Sequence, residues 1–233
     1  MKKMLGVMLA VFLCSLWLGC YAADAPEKGL IAYWSFDEGS GNTAKDMSGK
    51  GHNGTIYGAK YEKGKAGTCL SFDGVDNFVS VPDFADAPVS EITILVWQKT
   101  GEARAQSTLS NFPDDYKDRI NFHIPWSDGT VYWDFGDITA EGRLSYIPDQ
   151  EIVGTWQHFA FVASESENCM KIYRNGVEEA SKDGMCPYSG APRGIYIGLL
   201  DGANFFIGEI DELKMYNRAL SAKEIKAQFS AAK

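Results

Sequence analysis

The 233-residue sequence contains no block of basic residues: 22 Lys and Arg stand against 31 Asp and Glu, for a formal net charge of −9. Nucleic acids and anionic lipid surfaces bind to clusters of positive charge, so this balance argues against both as partners. Long amphipathic helices are also missing. The one helical signal is "SAKEIKAQF" (residues 221–229), where Ser221 and Glu224 form a capping box. A helical bundle is therefore excluded.

Cysteine and histidine are scarce, with five and three residues respectively. No C-x-x-C pair or His/Cys cluster is present, which argues against a zinc site. No G-x-S-x-G motif accompanies the histidines, so a Ser-His-Asp hydrolase is not indicated. Cys169 and Cys186 flank one hairpin, and export would permit a disulfide, so we predict that they pair. Cys69 would then be left free and buried.

The N-terminal segment, residues 1–22, has the features of a secretory signal peptide. Lys2 and Lys3 precede an apolar run over residues 4–18, and small residues follow. Its removal takes away two lysines, so the mature charge becomes −9 − 2 = −11. Two alternatives stay open: an uncleaved membrane anchor, and lipid attachment at Cys20. We expect an exported protein (secreted, periplasmic or on the cell surface) whose mature chain has no transmembrane domain.

The rest of the chain alternates between short apolar runs and turn signals. Runs such as "ITILVWQKT" and "WQHFAFVAS" are rich in β-branched and aromatic residues. This alternation is typical of an antiparallel β-sandwich or barrel. No internal repeat or linker interrupts it, so we predict one domain over residues 29–230. The turn signals are Glu38-Gly39, Ser48-Gly49, Asn53-Gly54, Asp73-Gly74, Asp128-Gly129, Asn175-Gly176 and Asp201-Gly202.

The hairpin around Asp128-Gly129 predicts a candidate binding face. A two-residue turn there pairs residues whose numbers sum to 257, so that His123 faces Asp134. One face of this hairpin is then wholly apolar, and the other presents Asn121, His123, Tyr132 and Asp134. An aromatic ring beside polar groups is typical of a carbohydrate site. The alternative is a solvated sheet face with a cross-strand His–Asp pair.

The stretch "GKGHNG" (residues 49–54) matches the dinucleotide-binding pattern G-x-G-x-x-G. Such a loop must follow a strand and open a helix, whose N-terminus holds the pyrophosphate. The next residues, "TIYGAKYEKGKAG", contain three more glycines and no apolar stripe at helical spacing. The match therefore predicts a glycine-rich turn without a nucleotide.

The order of several short motifs resembles a known family. "WSFDEGSG", "DMSGKGHNG" and "FDGVDNFV" follow one another as in the opening of a LamG-like jelly-roll domain, of the concanavalin A-like lectin/glucanase superfamily. Later pieces, "ITILVWQKT", "GTWQHFAFVAS", "IYRNGV" and "FIGEIDELKMYNRALSAKEI", agree with the same family. The resemblance covers residues 30–229. It implies an all-β fold in which two antiparallel sheets stack as a jelly-roll sandwich, with a short C-terminal helix.

The resemblance also implies a structural calcium ion that joins the terminal strands. Asp37 ends the first predicted strand and Asp211 lies in the last, so these two carboxylates are the expected ligands. The alternative is that Asp37 and Asp73 only hydrogen-bond their own turns.

An enzyme of this fold would need further groups. Glucanases use paired carboxylates on one strand face; Glu209 and Asp211 alternate correctly, but the next position on that face is Leu213. A lyase would need a Tyr, a His and an Arg together, for which Tyr132, His123 and Arg119 are the candidates.

Taken together, the sequence predicts a secreted, non-catalytic recognition module. Carbohydrate is the leading ligand class, and an extracellular protein is the second. A polysaccharide-cleaving enzyme is the third hypothesis.

Overall fold

The computed structural model describes residues 27–82, 90–111, 117–185, 188 and 194–231. The predicted signal peptide, Cys20 and Cys186 lie outside the described residues. No helix among those residues is long and apolar enough to cross a membrane.

Sixteen strands and one helix make up the described part of the chain. In chain order they are β1 (Leu30–Trp34), β2 (Thr43–Ala44), β3 (Gly54–Tyr57), β4 (Lys60–Lys63), β5 (Thr68–Asp73), β6 (Phe78–Val81), β7 (Glu91–Thr100), β8 (Leu109–Ser110), β9 (Arg119–His123), β10 (Val131–Gly136), β11 (Arg143–Tyr146), β12 (Gln157–Ser164), β13 (Cys169–Arg174), β14 (Val177–Asp183), β15 (Ile195–Ile197), β16 (Ile207–Tyr216) and α1 (Ala222–Ala231).

The strands form two antiparallel sheets of eight strands each. The first sheet has the order β14-β13-β12-β7-β16-β5-β4, with β1 also paired to β16; the second has the order β11-β10-β9-β8-β15-β6-β3-β2. Large apolar side chains from both sheets, among them Trp34, Phe122, Trp133 and Phe161, are fully buried in one core. The predicted all-β jelly-roll sandwich is confirmed.

Helix α1 covers the outer face of the first sheet, which explains the continuous apolar runs in β7 and β12. Leu95, Val162, Leu220 and Ile225 form a second buried cluster beneath the helix. Strands that are covered on both faces need apolar residues at successive positions rather than at alternate ones. The predicted capping box is present, since the Ser221 backbone N–H and hydroxyl both donate to Glu224 Oε2, at 2.8 and 2.7 Å.

The glycine-rich stretch forms a turn, as the sequence predicts, and the Asp46 side chain holds this turn together. Its carboxylate accepts hydrogen bonds from the backbone N–H groups of Tyr33 and His52, both at 3.0 Å. The Ser48 backbone N–H and hydroxyl add two more, both at 2.8 Å. Gly49 and Gly51 have φ values of 80° and 89°, a region that favours glycine. The glycines therefore serve the backbone, and no helix follows them.

The hairpin formed by β9 and β10 has the predicted faces but a different register. His123 pairs with Tyr132 and Asn121 pairs with Asp134, so paired numbers sum to 255 rather than 257. The predicted His123–Asp134 pairing is therefore wrong. The physical reason is a longer connection: Trp126 N–H donates to Thr130 O, and residues 124–130 leave the ladder. A shift of two residues leaves the side chains within β9 and β10 on their predicted faces.

The structure bears on two of the predicted cysteine roles. Cys69 is free and fully buried, and burial raises the pKa of its thiol to about 12. It is therefore an inert core residue, as expected. Cys169 is a buried free thiol in the structure, 3.7 Å from Glu167 Oε2. Its predicted partner, Cys186, lies outside the described residues, so the disulfide stays a prediction.

His158, on β12, is a buried histidine whose protonation should control acid stability. Its ring packs against Trp97 and Phe229 at centroid distances of 5.3 and 5.9 Å, and only 2% of the residue is exposed. Burial, and then the nearby Lys214 ammonium, lower the pKa of His158 to about 3. The His158 ring also borders a cavity of about 90 Å³, whose lining includes Glu212.

Replacing His158 by phenylalanine should flatten the fall of stability in acid. The unfolded histidine takes up a proton near pH 6.5 and the folded one near pH 3, so stability is lost as the pH falls between these values. His158→Phe keeps an aromatic ring in the stack but removes this proton uptake. The slope of unfolding free energy against pH should decrease by up to about 1.4 kcal/mol per pH unit. Urea unfolding from pH 6 to pH 4 measures it, and equal slopes would contradict the assignment.

Candidate functional site

A cleft of about 330 Å³ lies on the outer face of the second sheet, above β9, β10 and β11. Its floor is formed by residues that alternate with core residues along these strands, so their side chains point away from the core. The loop between β9 and β10 and the loop after β15 form its sides. The lining residues are Arg119, His123, Trp126, Tyr132, Ile138, Arg143, Leu200 and Asp201.

Asp134 anchors the floor of the cleft. Its side chain is fully buried, and it accepts two hydrogen bonds from Arg143, from Nε and Nη2, both at 2.6 Å. Arg119 Nη1 lies 3.8 Å from the same carboxylate. A buried carboxylate is stable only when it is paired and hydrogen-bonded, which the two guanidinium groups achieve. Asp134 therefore positions the arginines and is not exposed to a ligand.

His123 is held in one neutral form by its neighbours. Nδ1 lies 2.6 Å from the Gln106 carbonyl oxygen, so it must donate; Nε2 lies 3.0 Å from Asn121 Nδ2, so it must accept. Asn121 Oδ1 in turn accepts from the Ser107 hydroxyl. Burial lowers the pKa of His123 and outweighs the Asp134 carboxylate, which raises it. Both ring nitrogens are thus used within the protein.

Tyr132 is the aromatic residue on which a ligand could stack. Its ring is partly exposed, its hydroxyl donates to Asp128 Oδ2 at 2.8 Å, and the Arg143 guanidinium lies 4.8 Å from its centroid. Trp126 is also partly exposed, and its ring meets His123 edge-on at 4.6 Å. The hydrogen bond to Asp128 raises the pKa of Tyr132, which makes the phenol a weaker acid.

The structure thus brings the four predicted site residues together but gives them different roles. Tyr132 lines the cleft with an accessible ring. Asn121, His123 and Asp134 form the buried network beneath it, with at most 3% of each residue exposed. The prediction missed Trp126 and Arg143. Alternation along the hairpin predicts Trp126 on the apolar face together with Ile124, but Trp126 lies in the loop after β9 and its ring contacts His123. Arg143 lies on β11, whose pairing with β10 has no strong sequence signal.

A family model of the concanavalin A-like lectin/glucanases superfamily matches residues 73–226. The chain belongs to this superfamily. A comparison with curated proteins finds no match.

Solved structures with the same fold include several binding domains of this superfamily's architecture. Domain 4 of AbnA, a GH43 extracellular arabinanase from Geobacillus stearothermophilus, in complex with arabinotriose, is similar with a TM-score of 0.71 and 24% identity, covering 86% of this chain and 98% of that one. The binding domain of Paraclostridial Mosquitocidal Protein 1 has a TM-score of 0.67 and 19% identity, covering 87% and 52%. The botulinum neurotoxin serotype G binding domain has a TM-score of 0.67 and 13% identity, covering 87% and 51%. The chain spans about half of the two toxin domains. Such identities establish the fold alone.

The superfamily resemblance assigns Asp37 and Asp211 to calcium, and both carboxylates accept hydrogen bonds from one turn, residues 64–68. Asp37 Oδ1 accepts from Thr68 N–H at 2.9 Å, and Asp211 Oδ2 accepts from Ala66 N–H at 3.0 Å. A Cβ at Gly67 would lie 2.0 Å from Asp37 Oδ1, so only glycine allows this approach. Strand β1 pairs with β16, as the predicted contact between the terminal strands requires. Asp73, by contrast, binds its own turn through Val75 N–H, at 2.9 Å.

Asp211 carries an unsatisfied oxygen, which is a physical reason to consider a cation. The residue is fully buried, and within the described part of the chain its Oδ1 atom has no hydrogen-bond partner. Burial raises the pKa of Asp211 to about 7. A buried carboxylate without a counter-charge is costly, so the donor set fits a bound cation such as Ca²⁺. The remaining ligands would have to be backbone, side-chain or water oxygens. No group of three or more His, Cys, Asp or Glu side chains that could hold a metal occurs in the described residues.

Strand β16 contains a β-bulge at Glu212, directly after Asp211. The register with β7 shifts between Asp211 and Lys214, and Glu212 has a φ of 51°, which is unusual for a residue other than glycine. Leu213 therefore points into the core, and it does not follow Asp211 on the outer face as a regular strand predicts. Both Glu212 oxygens accept from the Tyr33 hydroxyl, at 2.9 and 3.0 Å.

Proposed function

We propose that the chain is an exported, non-catalytic carbohydrate-recognition module whose sugar ligand enters the cleft above Tyr132 and Arg143. The observation that carries this proposal is a partly exposed aromatic ring held beside charged donors by a buried hydrogen-bond network. Sugars bind through stacking on an aromatic face together with hydrogen bonds to their hydroxyl groups. Because hydrogen bonds within the protein already hold these side chains, little side-chain entropy would be lost on binding.

The structural neighbours support the same ligand class. The AbnA domain is a part of an extracellular arabinanase and is in complex with arabinotriose. The two toxin structures are binding domains. None of these names describes the catalytic part of an enzyme.

A catalytic role is less well supported by the geometry. A lyase needs a base, and the candidates are His123 and Tyr132. His123 uses both ring nitrogens on Gln106 and Asn121, and the pKa of Tyr132 is raised, opposite to what a base requires. We therefore expect neither reducing ends nor unsaturated products when the protein is incubated with polysaccharides.

The test of the proposed function is a glycan array probed with wild type, Tyr132→Ala and Tyr57→Ala. Tyr57 is a matched control because it lies on β3 of the same sheet and is 48% exposed. We expect Tyr132→Ala to weaken binding at least about tenfold, since about 1.4 kcal/mol of stacking is lost, whereas Tyr57→Ala binds as wild type does.

Two results would contradict the proposal. Absence of binding to any glycan would remove carbohydrate as the ligand class and favour an extracellular protein partner, which affinity capture from the native envelope would then identify. Unchanged binding by Tyr132→Ala would move the site away from this cleft.

Two further features belong to the proposal. Export is supported by the signal-peptide pattern that the sequence predicts over residues 1–22, and mass spectrometry of the mature N-terminus would distinguish cleavage after residue 22 from lipid attachment at Cys20. We also propose a structural calcium ion between Asp37 and Asp211, supported by the unsatisfied Asp211 oxygen. When bound, the ion would neutralise the two carboxylates and tie the end of β1 to β16.

A further inference from the structure

The polar residues beneath the cleft already use their hydrogen-bonding atoms within the protein. His123 bonds to Gln106 and Asn121 through its two ring nitrogens, at 2.6 and 3.0 Å. Asp134 is fully buried and accepts two hydrogen bonds from Arg143. A sugar hydroxyl that enters the floor of the cleft therefore meets groups that are already paired, and a buried hydroxyl without a hydrogen bond is costly. The floor favours an apolar part of a ligand.

Apolar side chains form half of the cleft lining. Two of them are aromatic, Trp126 and Tyr132, and two are aliphatic, Ile138 and Leu200. Each of the four is partly exposed, so each offers carbon surface to a ligand. Stacking on the aromatic rings accounts for a sugar ring in general. The aliphatic pair, Ile138 and Leu200, adds a surface that a hydroxyl group cannot match but a methyl group can.

Hydrogen-bonded turns hold the aliphatic pair in the cleft. Ile138 lies in a turn that the Gly142 N–H group closes by donating to Asp137 O, at 2.9 Å. Leu200 lies in a turn that its own N–H group closes by donating to Asn204 O, at 3.0 Å. The backbone at both residues is thus fixed within the protein, so little of it would have to be ordered when a ligand binds.

Polar groups of the cleft lie where solvent reaches it. Asp201 is exposed, and the Arg143 side chain is 38% exposed. These groups can bind sugar hydroxyls on the solvent side of a ligand. The cleft therefore combines a polar, solvent-facing side with an apolar interior, which suits a sugar that has hydroxyls on one edge and a methyl group on another.

We infer that the sugar bound in this cleft is a 6-deoxyhexose, such as quinovose, fucose or rhamnose. The inference rests on the proposed function, because it names the class of sugar for the same cleft. The sugar ring stacks on Tyr132, and its methyl group packs against Ile138 and Leu200. A hydroxymethyl group in that place would bury a hydroxyl, and a pentose would leave the aliphatic pair without a contact.

The first test compares methyl glycosides that differ only at the carbon that carries the methyl group. Quinovose, glucose and xylose share one ring configuration and carry a methyl group, a hydroxymethyl group and a hydrogen atom there. L-Fucose with L-galactose and D-arabinopyranose, and L-rhamnose with L-mannose and L-lyxose, form two further series. Isothermal titration should show that the 6-deoxy sugar of at least one series binds about tenfold more tightly than both of its relatives, which corresponds to about 1.4 kcal/mol.

The second test removes the aliphatic pair one residue at a time. Ile138→Ala and Leu200→Ala should each reduce the preference for the 6-deoxy sugar by about threefold or more, while binding of the pentose changes little. Ile147→Ala is the matched control, because Ile147 is 73% exposed and does not line this cleft. Its preference should equal that of the wild type. Unchanged pentose binding also shows that the variants are folded.

The outcomes separate this inference from the proposed function. If the hydroxymethyl sugars bind as tightly as the 6-deoxy sugars in every series, or if only other glycans bind, and binding still requires Tyr132, the cleft binds sugar and the 6-deoxyhexose inference is wrong. A preference that neither Ile138→Ala nor Leu200→Ala reduces would also overturn it, because the methyl group would then lie elsewhere. If no glycan binds at all, the proposed function fails as well.

Discussion

Replacing Asp46 by alanine should lower the free energy of unfolding by about 3 kcal/mol, because a charged acceptor that serves four hydrogen bonds is lost. One of these bonds joins the turn of residues 46–52 to Tyr33 in β1, and the other three hold the turn itself. The same turn supplies the His52 carbonyl oxygen that accepts from the core residue Trp34, at 2.8 Å. For a chain of this size the melting temperature should fall by about 6–12 °C. Thermal unfolding followed by circular dichroism measures the change.

Two further variants, one at an exposed carboxylate and one with an isosteric side chain, test whether the effect is specific to the Asp46 carboxylate. Asp137→Ala removes a carboxylate that accepts two hydrogen bonds from Thr139 in its own exposed turn, so the effect should be much smaller. Asp46→Asn retains one acceptor oxygen and should fall between wild type and Asp46→Ala. A melting temperature for Asp46→Ala within about 2 °C of wild type would show that the turn does not depend on this carboxylate.

The Asp46 effect should also depend on pH in a defined direction. Burial opposes ionisation of this carboxyl, but hydrogen bonds from Ser48, His52 and Tyr33 outweigh it and lower its pKa below 3.8. A lowered pKa means that the stabilisation is present above the pKa of the unfolded chain and is lost as the pH falls through the folded value. The difference between wild type and Asp46→Ala should therefore narrow below about pH 4.

This turn shows which local features a sequence pattern can predict. The glycines of "DMSGKGHNG" predicted a turn correctly, because positive φ is a property of each residue and its neighbours. The faces of the β9–β10 hairpin were predicted for a similar reason, since side chains alternate with a period of two. That same period cannot detect a register shift of two residues, so the pairing of His123 was missed.

The candidate cleft depends on contacts that no short pattern contains. His123 is hydrogen-bonded to the Gln106 carbonyl oxygen and Asp134 is paired with Arg143, so neither is available to a ligand. Gln106 precedes β8 and Arg143 lies on β11, both outside the hairpin. From the hairpin alone, both residues were expected to face a ligand. The bulge at Glu212 is also not predicted by a short pattern. The sequence of β16 predicts a regular strand, whereas its pairing with β7 shifts register between Asp211 and Lys214. Long-range partners decide which polar side chains remain accessible.

Calcium should reverse the stability order of wild type and Asp211→Asn: the variant should be at least as stable in EDTA, and the wild type should be more stable in Ca²⁺. This reversal follows directly from the proposed metal site. In EDTA the wild type contains a buried carboxylate with an unsatisfied oxygen, so Asp211→Asn should be at least as stable. With Ca²⁺ at about one hundred times its dissociation constant, the wild type should gain about 2.7 kcal/mol, or about 5–10 °C in melting temperature. The variant should gain nothing.

The control for this experiment is Glu209→Gln, two residues earlier on β16. Glu209 pairs with Lys99 at 3.0 Å, and among the described residues no hydrogen bond joins its side chain to the turn of residues 64–68, so the variant should keep the full response to calcium. Asp37→Asn, at the other carboxylate, should lose it as Asp211→Asn does. If the wild type melts at the same temperature in EDTA and in Ca²⁺, the unsatisfied Asp211 oxygen has another explanation, such as a buried water, and the calcium proposal is wrong. A crossing of the two stability orders has no such alternative, because a water molecule would stabilise the wild type equally in both buffers.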